Sequence, residues 1–120
     1  MKKRVVVTGI GTINPLGNNA PETWQSASKG ISGISKITRF DASTFPTQIA
    51  GEVKDFDPLD FIHKKEIKKM DTFIQYAIAA TKEALENANL TIDDELSPEI
   101  GVSIGVGIGG LPGIQRSSIT

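Results

Sequence analysis

Two apolar segments, residues 4–10 and 100–106, constrain the fold of this chain more than any other feature. The first contains three consecutive valines and is apolar on both faces, as in a strand of a sheet that is covered on both sides. In the second, bulky aliphatic residues alternate with glycine and serine, so one face is nearly bare and something must pack tightly against it. The sequence therefore predicts two strands that are parallel neighbours joined by a right-handed crossover.

The chain between these segments is predicted to be mainly helical. A short helix opens at residues 21–24, with proline at or near its first position, and ends at Gly30. The longest helix is predicted over residues 64–89, where apolar residues recur every three or four positions and many alanines allow close approach of another element. Residues 31–50 look irregular, and residues 48–53 suggest a short edge strand.

Further local signals complete the predicted element order. Asp57-Pro58 is typical of a helix start, and Pro112 is a possible start of another helix after the glycine loop. Asn87 and Asn89 are plausible left-handed stop residues for the long helix. The order strand, helix, excursion, long helix, strand and glycine loop predicts the α/β class.

The predicted elements cannot cover the apolar side chains present. Each large apolar side chain left exposed forfeits roughly 1.5–3 kcal/mol. Because the total stability of a domain is only about 5–15 kcal/mol, leaving about five of them uncovered would abolish folding. We therefore expect the 120-residue chain to be part of something larger, in sequence or by association.

Composition excludes several classes of site. With 13 Lys plus Arg, 14 Asp plus Glu and a formal net charge of −1, no overall field attracts nucleic acid or an anionic membrane. The chain has no cysteine and a single histidine, His63, so it supplies no thiolate nucleophile, disulfide, His triad or His metal cluster. We expect no metal and no cofactor. No apolar run is long enough for a signal peptide or a membrane span, so a cytoplasmic protein without membrane insertion is expected.

The glycine loop matches a nucleotide-binding pattern. Gly105-x-Gly107-x-x-Gly110 follows a predicted strand, as in the dinucleotide fingerprint, where backbone amides approach a pyrophosphate at a helix N-terminus. The acidic ribose partner would lie past Thr120. From the residues alone, tight packing is the commoner explanation and nucleotide binding remains an alternative.

A local basic cluster stands out in this nearly neutral chain. Lys65, Lys68 and Lys69 would share one helical face, which either docks an acidic partner or is simply solvated. The residues alone favour the solvated face. His63 is expected at the surface, and the acidic run at residues 93–95 is expected to be a solvated loop rather than a metal site.

Several separated motifs, in the same order, resemble the opening of β-ketoacyl-acyl-carrier-protein synthases, the elongating condensing enzymes of fatty-acid synthesis, and fit their type II subgroup. The resemblance covers essentially all 120 residues and rests on Val5–Gly11, Pro15–Gly17, Trp24, Gly30–Ile34, Phe40–Ser43, Ala50–Phe56, Lys65–Tyr76 and Gly105–Leu111.

This resemblance implies a thiolase-like α-β-α-β-α fold, of which residues 1–120 would be a partial N-terminal domain, in a protein that is usually a homodimer. It implies fatty-acid elongation by decarboxylating Claisen condensation of acyl and malonyl groups held on acyl carrier protein. The family's cysteine nucleophile and two histidines lie downstream of the stretch resembled, so no catalytic residue is expected in this chain. A non-catalytic module that binds carrier protein or a synthase subunit is the alternative.

Two partial roles carry over by resemblance. Lys65, Lys68 and Lys69 match positions with which the family grips the acidic helix of acyl carrier protein, although arginine is common at the second position and lysine lacks its bidentate fork. Ile108 matches a residue at the floor of the acyl pocket, where its bulk would limit chain length. Val106 stands where a small residue is common, which leaves the shape of that segment open.

Overall fold

The computed structural model describes residues 1–119, in which short helices and one small sheet are joined by long loops. The helices are α1 (Ala20–Ser28), α2 (Lys64–Ile67), α3 (Thr72–Asn87) and α4 (Leu111–Ser118). The strands are β1 (Ile34–Lys36) and β2 (Ile49–Gly51). Single 3-10 turns span Pro58–Asp60 and Ser97–Glu99. The chain is thus a mixture of helix and strand, as predicted.

Helix α1 forms as its local sequence predicts. The Asn19 side chain accepts a hydrogen bond from the backbone N–H of Glu22 at 2.8 Å, and a proline occupies the first turn. Beyond the last turn, Gly30 adopts a left-handed conformation with φ of 67°, which glycine takes without strain. The predicted start and stop of this helix are confirmed.

The single long helix predicted over residues 64–89 is wrong. Only the turn α2 forms first, residues 68–71 interrupt the helix, and α3 starts after Asp71, whose backbone is extended. Like charges disfavour a continuous helix here, because it would place Lys64 over Lys68 and Lys65 over Lys69 at the repulsive four-residue spacing, at a cost of about 0.2–0.5 kcal/mol per pair. The predicted stop at Asn89 is confirmed by its φ of 53°.

The two predicted parallel strands do not pair in the described chain. Residues 4–10 and 100–106 belong to no ladder, and the sheet of residues 1–119 is an antiparallel pair in which Ile34 faces Gly51 and Lys36 faces Ile49. The edge strand predicted at 48–53 is confirmed, and its partner β1 was not predicted. A strand needs backbone hydrogen-bonding groups from a neighbour, and residues 1–119 provide none for either apolar segment.

The first apolar segment instead leads into a close contact with α3. A Cβ built on Gly9 would lie 2.2 Å from the Ala84 carbonyl oxygen, and one on Gly11 would lie 2.0 Å from that of Ala80. Glycine is therefore required at both positions, and alanines on the facing helix permit the approach. By contrast, no described atom lies within 4 Å of a Cβ built on Gly101.

The apolar surface is largely uncovered. The radius of gyration is 17.6 Å, against roughly 14 Å for a compact domain of this length. Val5 is 93% and Val102 80% exposed, and the expectation of apolar faces left bare by this chain is confirmed. Within residues 1–119, no helix is both long and apolar enough to span a membrane.

Candidate functional site

The three lysines of the basic cluster lie on one short exposed segment. Lys65 belongs to α2, Lys68 caps its C-terminus in a helical conformation, and Lys69 follows in the turn. The Lys69 ammonium is 3.1 Å from the Glu66 carboxylate, and both side chains are largely exposed. The structure thus keeps the three charges together, on a single helical turn rather than on the face of a long helix.

Contacts upstream of α2 fix the position of this segment. Ile62, immediately upstream, is buried, and the backbone carbonyl of Phe61 accepts a hydrogen bond from Lys82 of α3. The Phe61 ring stacks on Phe56, whose ring in turn meets Tyr76 of α3 edge-on at 5.0 Å between centroids. The basic segment is therefore held against α3 from its upstream side.

The glycine loop lies against the start of α3. A Cβ built on Gly109 would be 3.1 Å from the Phe73 ring, and Gly110 takes a left-handed conformation with φ of 74° as it enters α4. Neither position accommodates a side chain without strain. Ile108, just before them, is 81% exposed.

Asp71 occupies the N-terminus of α4. Its carboxylate, only 16% exposed, accepts hydrogen bonds from the backbone N–H of Gly113 at 3.2 Å and from the Arg116 guanidinium at 2.9 Å. A carboxylate complements the positive end of a helix dipole. The same charge repels the pyrophosphate that a nucleotide-binding loop would place there, so the structure argues against the nucleotide alternative.

An open cleft of about 650 Å³ lies between Lys69 and the end of the glycine loop. Its lining includes Lys69, Phe73, Gly109 and Ile114. The structure thus brings the end of the basic cluster and the glycine loop to one cleft, whereas Lys65, Lys68 and Ile108 are not part of its lining. Sequence reasoning missed Phe73 and Asp71, although an aspartate directly before an apolar-periodic run is a recognisable helix-start signal.

The other titratable groups among residues 1–119 form no further centre. His63 is exposed and precedes α2 without a capping hydrogen bond from its side chain, and residues 93–95 are exposed, so both surface predictions are confirmed. In the part of the chain that the structure describes, no three His, Asp or Glu side chains cluster as metal ligands.

Two carboxyl groups with lowered pKa lie away from the cleft. Hydrogen bonds from the hydroxyl and backbone N–H of Thr38 lower the pKa of Glu52. The pKa of Asp41 is lowered by hydrogen bonding from Ser43. Asp41 stabilises a local turn, Glu52 joins two segments 14 residues apart, and both lie outside the cleft lining, so neither marks a reactive centre.

Comparison with known proteins assigns the chain to a family. The family model described as beta-ketoacyl synthase, N-terminal domain, matches residues 2–119. Proteins named 3-oxoacyl-(acyl-carrier-protein) synthase 2 are 49% identical over 116 residues in Coxiella burnetii and 51% identical over 110 residues in Synechocystis. These alignments cover 97% and 92% of this chain.

The chain spans only about a quarter of the length of these relatives, 28% and 26% respectively. Among solved structures, the ishigamide ketosynthase/chain length factor is 40% identical and superposes with a TM-score of 0.66. That superposition covers 72% of this chain and 21% of the other.

Proposed function

This chain belongs to the β-ketoacyl synthase family, and from that premise we propose that it is the N-terminal part of a longer fatty-acid-elongating enzyme. The longer protein would adopt the thiolase-like α-β-α-β-α fold and condense an acyl group with malonyl-acyl-carrier protein, releasing carbon dioxide. The observation that carries the proposal is the family match over residues 2–119, with about 50% identity to synthases of this activity.

The reactive groups would come from the rest of the longer protein. Condensation needs a nucleophile that takes the acyl group as a thioester, and none of the 120 residues is a cysteine. The carbanion formed by decarboxylation of the malonyl group then attacks that thioester, and hydrogen-bond donors stabilise the oxyanion. Residues 1–120 alone are expected to yield no condensation product, and turnover by them would contradict this assignment.

We assign carrier-protein binding to Lys65, Lys68 and Lys69. All three are exposed and close together, so an acidic helix can reach them without rearrangement of the chain. Charge-assisted contacts to carboxylates are strong where solvent is partly excluded and weaken as salt rises. The adjoining cleft, which Lys69 shares with Gly109 and Gly110, runs from this surface toward the glycine loop.

Ile108 is assigned to the acyl pocket, and the bare apolar segments to contacts within the longer protein and its homodimer. Ile108, Val102 and Ile104 are strongly exposed in the described chain. Burying apolar side chains of this size in a larger core gains roughly 1.5–3 kcal/mol each. The cytoplasm is the proposed location of the longer enzyme.

The lysine assignment is tested in the longer enzyme by changing Lys65, Lys68 and Lys69 together to Glu. We expect the KM for acyl carrier protein to rise on the order of tenfold or more at low salt, because each reversal replaces attraction with repulsion. The kcat with a carrier-free acyl thioester should be unchanged. The matched control reverses the exposed Lys2, Lys3 and Lys29.

The control makes the same change in net charge at residues outside the cleft lining, so a similar KM rise in both triple variants would overturn the assignment. An enzyme that binds carrier protein through the lysines yet forms no product in its full-length form would instead support the non-catalytic binding module.

A further inference from the structure

Asp71 joins the basic segment to the glycine loop, and we propose that it is a positioning residue for acyl-chain-length selection. It lies two residues after Lys69 and accepts hydrogen bonds from α4, the helix that the loop enters. By holding that helix it would hold the loop that carries Ile108. This inference rests on the proposed function, in which Ile108 borders the acyl pocket.

The fit between Asp71 and α4 is close. A Cβ built on Gly113 would lie 2.6 Å from Oδ2 of Asp71, and one built on Gly110 would lie 2.9 Å from the same atom. The carboxylate therefore reaches the helix backbone only because both positions are glycine. The Gly113 N–H is one of the donors that a helix start leaves unpaired, and Asp71 satisfies it from another element.

The hydrogen bond from the Gly113 N–H to Asp71 stabilises the start of α4 more than the ion pair between Asp71 and Arg116 does. Arg116 is 72% exposed at its side chain, whereas Asp71 is 16% exposed, and exposed ion pairs contribute little. Removal of the Asp71 acceptor leaves a part-buried backbone donor unpaired, which is the larger cost. Loss of Arg116 should therefore matter less than loss of Asp71.

Ile108 depends on this anchor because few other contacts hold its loop. Within residues 1–119, no hydrogen bond fixes residues 105–109. The loop rests on the Phe73 ring through Gly109 and is tied down at Gly110, where α4 begins beside Asp71. Freeing the start of α4 would let Ile108 shift and would relax the limit that its bulk sets on chain length.

The test compares octanoyl- and tetradecanoyl-acyl-carrier protein as donors in the longer enzyme. We express chain-length preference as kcat/KM for the tetradecanoyl donor divided by kcat/KM for the octanoyl donor. For Asp71→Ala we expect this ratio to rise on the order of tenfold. The KM for malonyl-acyl-carrier protein should stay unchanged because the lysines are intact. Asp71→Asn, which keeps an oxygen acceptor for Gly113, should restore most of the wild-type ratio. Asp94→Ala removes an exposed carboxylate elsewhere and should leave the ratio unchanged.

A double variant shows whether Asp71 acts through Ile108. In an Ile108→Ala background, Asp71→Ala should add little, since coupled positions are not additive. A wild-type ratio in Asp71→Ala, or full additivity with Ile108→Ala, would overturn the inference. Should Asp71→Ala not fold, Gly113→Ala takes its place, because its new Cβ would lie 2.6 Å from Oδ2 of Asp71 and displace the carboxylate. A raised ratio in Gly113→Ala would support the inference, and an unaltered ratio would refute it. A wild-type enzyme without condensation activity would refute the proposed function itself.

Discussion

The carboxylate of Glu83 accepts a hydrogen bond from the backbone N–H of Thr12 at 2.8 Å, across 71 residues of sequence. Its second oxygen accepts from the backbone N–H of Ala20 at 2.7 Å, at the start of α1. One side chain of α3 thus ties down both ends of the loop between the first apolar segment and α1. Sequence periodicity assigns Glu83 to a helix but does not indicate this role.

We predict that Glu83→Ala lowers the free energy of unfolding by about 2–3 kcal/mol, because two part-buried backbone donors lose a charged acceptor. Glu83→Gln, which keeps one oxygen acceptor, should lower the free energy of unfolding by about half as much. Urea unfolding of the longer enzyme measures both changes in the free energy of unfolding. Glu86→Ala, an exposed carboxylate one turn away, should stay within about 0.5 kcal/mol of wild type. Equal losses at positions 83 and 86 would contradict the prediction.

Gly11→Ala is expected to lower the free energy of unfolding by about 1–3 kcal/mol or more, since the new Cβ on the face toward α3 meets the Ala80 carbonyl oxygen. The obstacle is backbone, so adding Ala80→Gly should not rescue stability. Thermal unfolding of the single and double variants tests this. Rescue by Ala80→Gly would show that the side chain of residue 80, not its carbonyl, limits the approach.

Glu66 competes with any acidic partner for Lys69, because their side chains form a 3.1 Å ion pair. Glu66→Gln should therefore tighten binding of acyl carrier protein about two- to fivefold at low salt, in line with the small energy of an exposed pair. The gain should fade at high salt. Titration calorimetry measures the affinity, and Glu95→Gln controls for the loss of one exposed negative charge. Identical gains in both variants would exclude local competition.

Thr38→Val should raise the pKa of Glu52 toward its ordinary value by removing the hydroxyl donor at 2.8 Å. In the wild type the folded pKa lies below the unfolded one, so the stabilisation is present above the ordinary glutamate pKa and is lost as pH falls through the lowered folded value. Carboxyl-carbon NMR titration follows each group. Asp41, held by Ser43, serves as internal control, and an unmoved Glu52 titration would contradict the assigned cause.

Local signals predicted well where the cause lies within a few residues. The start of α1, its end at Gly30 and the stop at Asn89 depend on capping side chains and left-handed conformations. The family resemblance also came from sequence alone, since several motifs in order are more specific than any one of them. The matched family model agrees with it.

Prediction failed where one segment depends on a distant one. The pairing of β1 with β2, the contact of Gly11 with Ala80 and the hydrogen bond from Gly113 to Asp71 join residues that are 13 to 69 positions apart. Secondary-structure propensity carries no information on which of several suitable segments will lie next to a given one in the folded chain. The predicted parallel strands failed for the same reason, because a β-forming segment becomes a strand only beside a partner.

The candidate site divides in the same way. The sequence by itself determined the three clustered lysines, the glycine loop and the absence of cysteine from residues 1–120, and its several motifs in order determined the family membership. Only the tertiary structure decided that Lys69 and the glycine loop share one cleft and that Asp71 fills the start of α4. The physical reason is range: capping and backbone strain act between neighbours in sequence, whereas packing and hydrogen bonding between elements depend on which surfaces the folded chain brings together.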